Sequence, residues 1–124
     1  MQERQGLEER VPLFAARCVN VCEAIPAKRL KAGHFKDQLF RSATSVSANY
    51  AEAEEPESRK DFIHKMKVAM KELAESRSWL RIIAASGYLD KKRLDPLIDA
   101  PLHPHALGPA PAASRMTSGR RADQ

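Results

Sequence analysis

Apolar residues recur along this 124-residue chain in steps of four and three, and three such series divide most of it into helices. Leu7, Val11, Phe14, Cys18, Val21 and Ile25 form the first, one stripe of an amphipathic helix. Pro12 fits a first turn but not a helix interior. The series therefore predicts a helix over about 10–25 that ends before Pro26. The stretch PAKRLKAGH, basic and holding Pro26 and Gly33, reads as a connection. Phe35, Leu39, Ala43, Val46, Tyr50 and Ala53 predict a second helix over 35–54.

Phe62, Met66, Ala69, Leu73, Ser76, Leu80 and Ile83 form the third series, widened by Ile63, Met70, Trp79 and Ile82. It predicts a long helix over 59–86. Ser58 with Asp61 three residues on is a capping signature, and Gly87 supplies a left-handed stop with Tyr88 placed to touch Ile83. Asp95-Pro96 reads as the start of a short fourth helix, 96–100. Pro101, Pro104, Pro109 and Pro111 then end all periodicity. The expected architecture is all-α, an antiparallel up-down helical bundle over residues 1–100. A disordered, Pro-rich basic tail is expected over 101–124.

The second helix has an unusual composition. RSATSVSANY, residues 41–50, is rich in Ser, Thr and Asn, which compete for backbone hydrogen bonds and are poor helix formers. Small side chains along one stripe let two backbones approach closely, and that packing offsets the poor propensity. Arg41, Ser45, Asn49 and Glu52 form a polar stripe on the same helix. It reads either as a binding strip or, in preference, as a hydrogen-bonded seam between helices or subunits, with Ala48 among the small residues that admit the neighbour. Trp79 and Leu80, with Ile82, add apolar surface beyond one bundle face, which reads in preference as a subunit interface and otherwise as a wide core in a short chain.

Charge changes the picture locally. The net charge is +5, but residues 58–86 carry seven Lys/Arg against three Asp/Glu, whereas residues 1–57 carry eight against nine. Lys60, His64, Lys67 and Lys71 share one face of the third helix, flanked by Arg59 and Lys65. Such a ladder neutralises phosphates without reading sequence. The bland alternative is a solvated lysine face. No aromatic residue interleaves the ladder, which argues against base stacking.

Little points to catalysis. Cys18 and Cys22, four apart with no further ligands at a zinc-like spacing, read as core cysteines. Di-iron bundles need paired E-x-x-H motifs; the only similar element is Asp61-x-x-His64, and Asp61 is better explained as a cap partner. His103 and His105 fall in the Pro-rich tail, and no phosphate-cradling glycine loop is present. No enzyme activity, cofactor, metal or small-molecule substrate is expected. No apolar run approaches the roughly 18 residues of a membrane span, and MQERQGLEER lacks a signal-peptide core, so a cytoplasmic location is expected.

The run Arg41-Ser42-Ala43-Thr44-Ser45-Val46-Ser47-Ala48-Asn49-Tyr50-Ala51-Glu52-Ala53 resembles the R-S-A-x-S-I-x-A-N-x-x-E-A/G motif of the bacterial four-helix-bundle proteins encoded in 23S ribosomal RNA intervening sequences. The resemblance continues through Ser58 to Phe62, Lys71 to Ser76, and Trp79-Leu80, and covers roughly residues 7–98. It implies an antiparallel four-helix bundle assembling as a homo-oligomer, a pentameric ring, without established enzymatic activity. A related branch, the accessory variability determinant of diversity-generating retroelements, implies contact with RNA and a reverse transcriptase. Prolines stand here where that family's fourth helix continues.

The expected role is a non-catalytic, self-associating bundle that contacts RNA or another nucleic acid through the third helix. The rival role is a protein-binding scaffold whose partner helix enters the seam left by the short fourth helix. If small residues at the second helix set a close seam, Ala48→Leu will disrupt assembly, read as oligomer mass and melting temperature; an unchanged oligomer would remove the idea.

Overall fold

The structure, a computed structural model, describes residues 6–26, 28 and 31–102. Four helices follow in order: α1 (Leu7–Ala24), α2 (Ala32–Glu54), α3 (Arg59–Ala85) and α4 (Lys91–Ile98). Among the described residues there is no strand.

Contacts between α2 and α3 run antiparallel: Ser42 meets Ser76, and ten residues further along α2, Glu52 meets Lys65. The short connections on either side bring α1 back along α2 and α4 back along α3. The predicted series form the core. Val11, Phe14, Cys18, Val21 and Ile25 meet Leu39, Ala43 and Val46 from α2, then Leu73, Leu80 and Ile83 from α3, and Leu94, Leu97 and Ile98 from α4.

Local chemistry explains each boundary. α1 begins at Leu7 rather than near residue 10, so Pro12 lies inside the helix and one backbone bond is forgone. Its ring faces solvent, and Glu8 and Glu9 in the first turn favour the helix dipole. α2 begins at Ala32, three residues earlier than the pattern predicts. Lys31 turns the chain with φ of 66°, and Gly33 belongs to the first helical turn, not to the connection.

α3 starts and stops as its signals predict. Ser58 Oγ accepts from the Asp61 amide at 3.0 Å, and Asp61 Oδ2 accepts from the Glu57 amide at 3.1 Å. At the other end Gly87, at φ of 77°, allows the Tyr88 amide to reach the Ile83 carbonyl at 3.1 Å and the Gly87 amide to reach Ala84 at 3.1 Å. This is a Schellman closure.

Two expectations about the C-terminal part need correction. α4 begins at Lys91, not at residue 96, because Asp90 caps it by accepting from the Lys92 amide at 3.1 Å. Pro96, read as a helix start, lies within α4 on its exposed side. The bundle also continues past residue 100: Leu102 is buried in the core cluster. The remainder of the expected tail, 103–124 with His103 and His105, lies outside the described residues, as do positions 27, 29 and 30 of the first connection.

The Ser- and Thr-rich stretch of α2 is helical throughout. Its side chains turn their hydrogen bonds back along their own helix instead of unwinding it. Thr44 Oγ1 donates to the Phe40 carbonyl at 2.7 Å, and Asn49 Nδ2 donates to the Ser45 carbonyl at 2.9 Å. Ser42 and Ser76 are both fully buried, with their hydroxyl oxygens 2.9 Å apart. Ser76 Oγ also lies 2.9 Å from the Glu72 carbonyl, and Ser42 Oγ 3.3 Å from that of Leu39. Each hydroxyl has one proton, so the pair forms a relay ending on one of these two carbonyls. Both facing side chains are small and fully buried, so a much larger one must displace its neighbours.

Ser42→Leu is therefore expected to cost about 1–3 kcal/mol through overpacking, and Ser42→Ala only about 1 kcal/mol for the lost hydrogen bond. Chemical denaturation of both variants checks the ranking. Equal losses would mean that volume does not govern this contact.

Candidate functional site

The long α3 segregates its charges by flank. Positions 60, 64, 67, 71, 74, 78, 81 and 85 step by four and three and are all exposed, so they define one outward face. Lys60, His64, Lys67 and Lys71 occupy the N-terminal half of that face, with Arg59 beside them, and none is ion-paired among the described residues. Ala74 and Ser78 are small, and Arg81 continues the positive row two turns further on. Sequence reasoning ended the ladder at Lys71 and missed Arg81, because the two uncharged positions interrupt the charge pattern but not the helical face.

Lys65 is displaced from this group. It lies on the α2 flank of α3, where its ammonium pairs with Glu52, and the pairing raises its pKa. It thus joins the seam between helices, not the outward ladder. Acidic residues of α3 share that flank. Arg41 of α2 donates to Glu72 at 3.3 Å and to Glu75, while Trp79 Nε1 donates to Glu75 Oε2 at 3.0 Å. Hydrogen bonding from Arg41, then from Trp79, holds the Glu75 carboxyl below its usual range.

Of the expected seam residues, Arg41 and Glu52 reach across to α3, whereas Asn49 and Ser45 bond only to each other within α2. Ala48 faces solvent. The close approach within the chain is made instead by Ser42 and Ser76. Both belonged to recognisable small or seam positions, but only the structure pairs them. Leu80 is fully buried and offers nothing to a second molecule. Trp79 is half-buried, with its ring centroid 5.7 Å from His34 and 5.9 Å from Phe35; Phe35 in turn meets Tyr88 at 5.2 Å. This aromatic group anchors the start of α2 to the end of α3.

The outer side of α2 is unusual in another way. Between Arg41 and Glu52 the helix has no charged residue. Ala48 and Ala51 are exposed there, and Phe40 at the margin is 52% exposed.

Cys18 and Cys22 are free and buried. Burial, then the neighbouring Cys22, pushes the Cys18 thiol up to about 12. Burial also raises Cys22, whose thiol points at the Lys36 carbonyl at 3.5 Å. Among the described residues no group of three or more His, Cys, Asp or Glu could hold a metal ion, and no helix is long and apolar enough to cross a membrane.

A family model described as 23S rRNA-intervening sequence protein matches residues 9–100. The fold is also similar to a crystal structure from Bacteroides thetaiotaomicron, described as a protein with unknown function from the S23 ribosomal protein family. The TM-score is 0.69 at 24% identity, covering 96% of this chain and 99% of that one. No curated protein matches the chain.

The thiols provide a check on the packing beneath the site. At pH 8 neither cysteine should react with a thiol reagent in the folded protein, since the thiolate is the reactive form, and both should react at once in denaturant. Fast labelling of Cys18 without denaturant would contradict its place in the core.

Proposed function

The chain belongs to the 23S rRNA-intervening sequence protein family, and from that premise we propose that it is a non-catalytic, self-associating helical bundle of the cytoplasm that contacts RNA through α3. The observation that supports this most is the outward ladder of Lys60, His64, Lys67 and Lys71, with Arg59 and Arg81 extending it, all exposed. The acidic residues of α3 do not dilute the ladder. Glu72 and Glu75 are held on the α2 flank by Arg41, and Asp61 is engaged in the cap. The result is a row of positive charge about 32 Å long at 1.5 Å per residue. Such a row engages phosphates rather than bases and gives affinity that falls steeply with salt.

Self-association is assigned to the outer side of α2. Charge depletion marks the centre of subunit interfaces, and exposed Ala48 and Ala51 permit close approach of another helix. Ala48 is thus a residue of the seam between subunits and not between helices of one chain. Ala48→Leu should lower the oligomer mass while leaving the helical content of the chain intact.

RNA binding is tested by titrating a generic structured RNA at several salt concentrations. Affinity should fall steeply as salt rises. Replacing Lys60, Lys67 and Lys71 together by Glu should abolish it, or reduce the salt slope by roughly one per lysine removed. Binding that is insensitive to salt, or to these substitutions, would overturn the assignment.

A further inference from the structure

Among the described residues, a second surface lies where α4 is too short to cover the bundle. α3 has 27 residues and α4 only eight, about 40 Å against about 12 Å. Two hydrogen bonds fix which flanks border the stretch that α4 leaves uncovered. On α1, Cys22 points at α2, so the opposite flank with Arg10, Leu13 and Arg17 faces away from α2. On α3, Arg77 reaches the Ala100 carbonyl beyond α4, and Ile63, Met66 and Met70 lie on that same flank towards its N-terminus. α4 packs on α3 and also touches α1, so the place it leaves empty lies between these two flanks.

Exposure follows this geometry. Leu13 is 49% and Ile63 44% exposed, the largest values for aliphatic side chains outside the core. Met66 and Met70 are half-buried; Met70 packs on the edge of the core cluster and Met66 lies outside it. Two methionines between two exposed aliphatic residues make an adaptable apolar surface.

The rim is predominantly basic, although exposed Glu9 lies four residues before Leu13 on the same flank of α1. Arg10 and Arg17 border it on α1, and Lys60 and Lys67 on α3. Residues 10–17 contain no acidic residue, and Asp61, the one acidic residue of 60–70, is engaged in the α3 cap. We propose that this slot docks an amphipathic helix of another protein, one whose apolar stripe is flanked by Asp and Glu. An apolar floor gives phosphates nothing to bind, and residues 103–124 of this chain carry three arginines against one aspartate, the wrong sign for this rim. Helix-in-groove recognition supplies the apolar anchoring, and charge complementarity supplies partner choice. The inference goes beyond the RNA reading, since Leu13, Ile63, Met66 and Met70 take no part in phosphate contact.

The test uses a labelled 18-residue amidated peptide with a leucine stripe at helical spacing and glutamates on both sides, and a counterpart with lysines in place of the glutamates. Fluorescence anisotropy against the full chain should show saturable binding of the Glu peptide and at least about tenfold weaker binding of the Lys peptide. Leu13→Ser and Ile63→Ser, both uncharged changes at exposed positions, should each weaken the Glu peptide by about tenfold or more. Melting temperature and RNA affinity should not change, so failure here leaves the RNA reading standing. Equal binding of both peptides, no saturable binding, or indifference to both substitutions overturns the proposal. So does dissociation of the oligomer by the peptide, since the occupant would then be a second copy.

Discussion

The contact on which this bundle depends is the meeting of two serine hydroxyls at 2.9 Å in the middle of the α2–α3 pair. It brings the backbones close and fixes both rotation and register. With Ser42 against Ser76, Arg41 reaches Glu72 and Glu75 one turn away, and Glu52 reaches Lys65 at the far end. These ion pairs lie at the exposed edge of the helix pair, where solvent screens them, so they follow from the register more than they create it. Once α3 is held in this rotation, its acidic residues face α2 and its lysine ladder faces outward.

Much of the architecture was legible in the sequence because it rests on local rules. The four-and-three spacing identified the buried residues of α1, α2 and α3, and Ser58 with Asp61 and Gly87 with Tyr88 marked the ends of α3 through hydrogen bonds that the structure shows. The boundaries that moved are those where a local preference yielded to its surroundings. Pro12 was expected near a helix start, yet α1 begins five residues before it, tolerating one lost bond. Asp95-Pro96 has the form of a helix start, but Asp90 caps the helix first, and burial of Leu94, Leu97 and Ile98 carries it through the proline.

The candidate site was legible only in part. Spacing placed Lys60, His64, Lys67 and Lys71 on one face, but it could not separate them from Lys65, which lies about a third of a turn away and pairs with Glu52. Nor does a stripe of small residues reveal which of its members face a neighbour. Ser42 and Ala48 look alike in sequence, yet one is fully buried and the other exposed. Their difference depends on where α3 lies, which is tertiary information. The same information divides the surface into three: a charge-free side of α2, an outward basic row on α3, and an apolar slot with a basic rim above α4.

All three surfaces follow from the rotation of α3 against α2, and a cross-link tests that rotation most directly. In a background with Cys18 and Cys22 replaced by Ala, cysteines at positions 42 and 76 should oxidise to a disulfide within a single chain, because bridging requires Cβ atoms about 3.5–4.5 Å apart. Near-complete intrachain cross-linking, with helical content retained, is the predicted result. Two free thiols under the same oxidant, or links formed only between chains, would show that α2 and α3 do not meet at these serines and that the ladder has no fixed outward face.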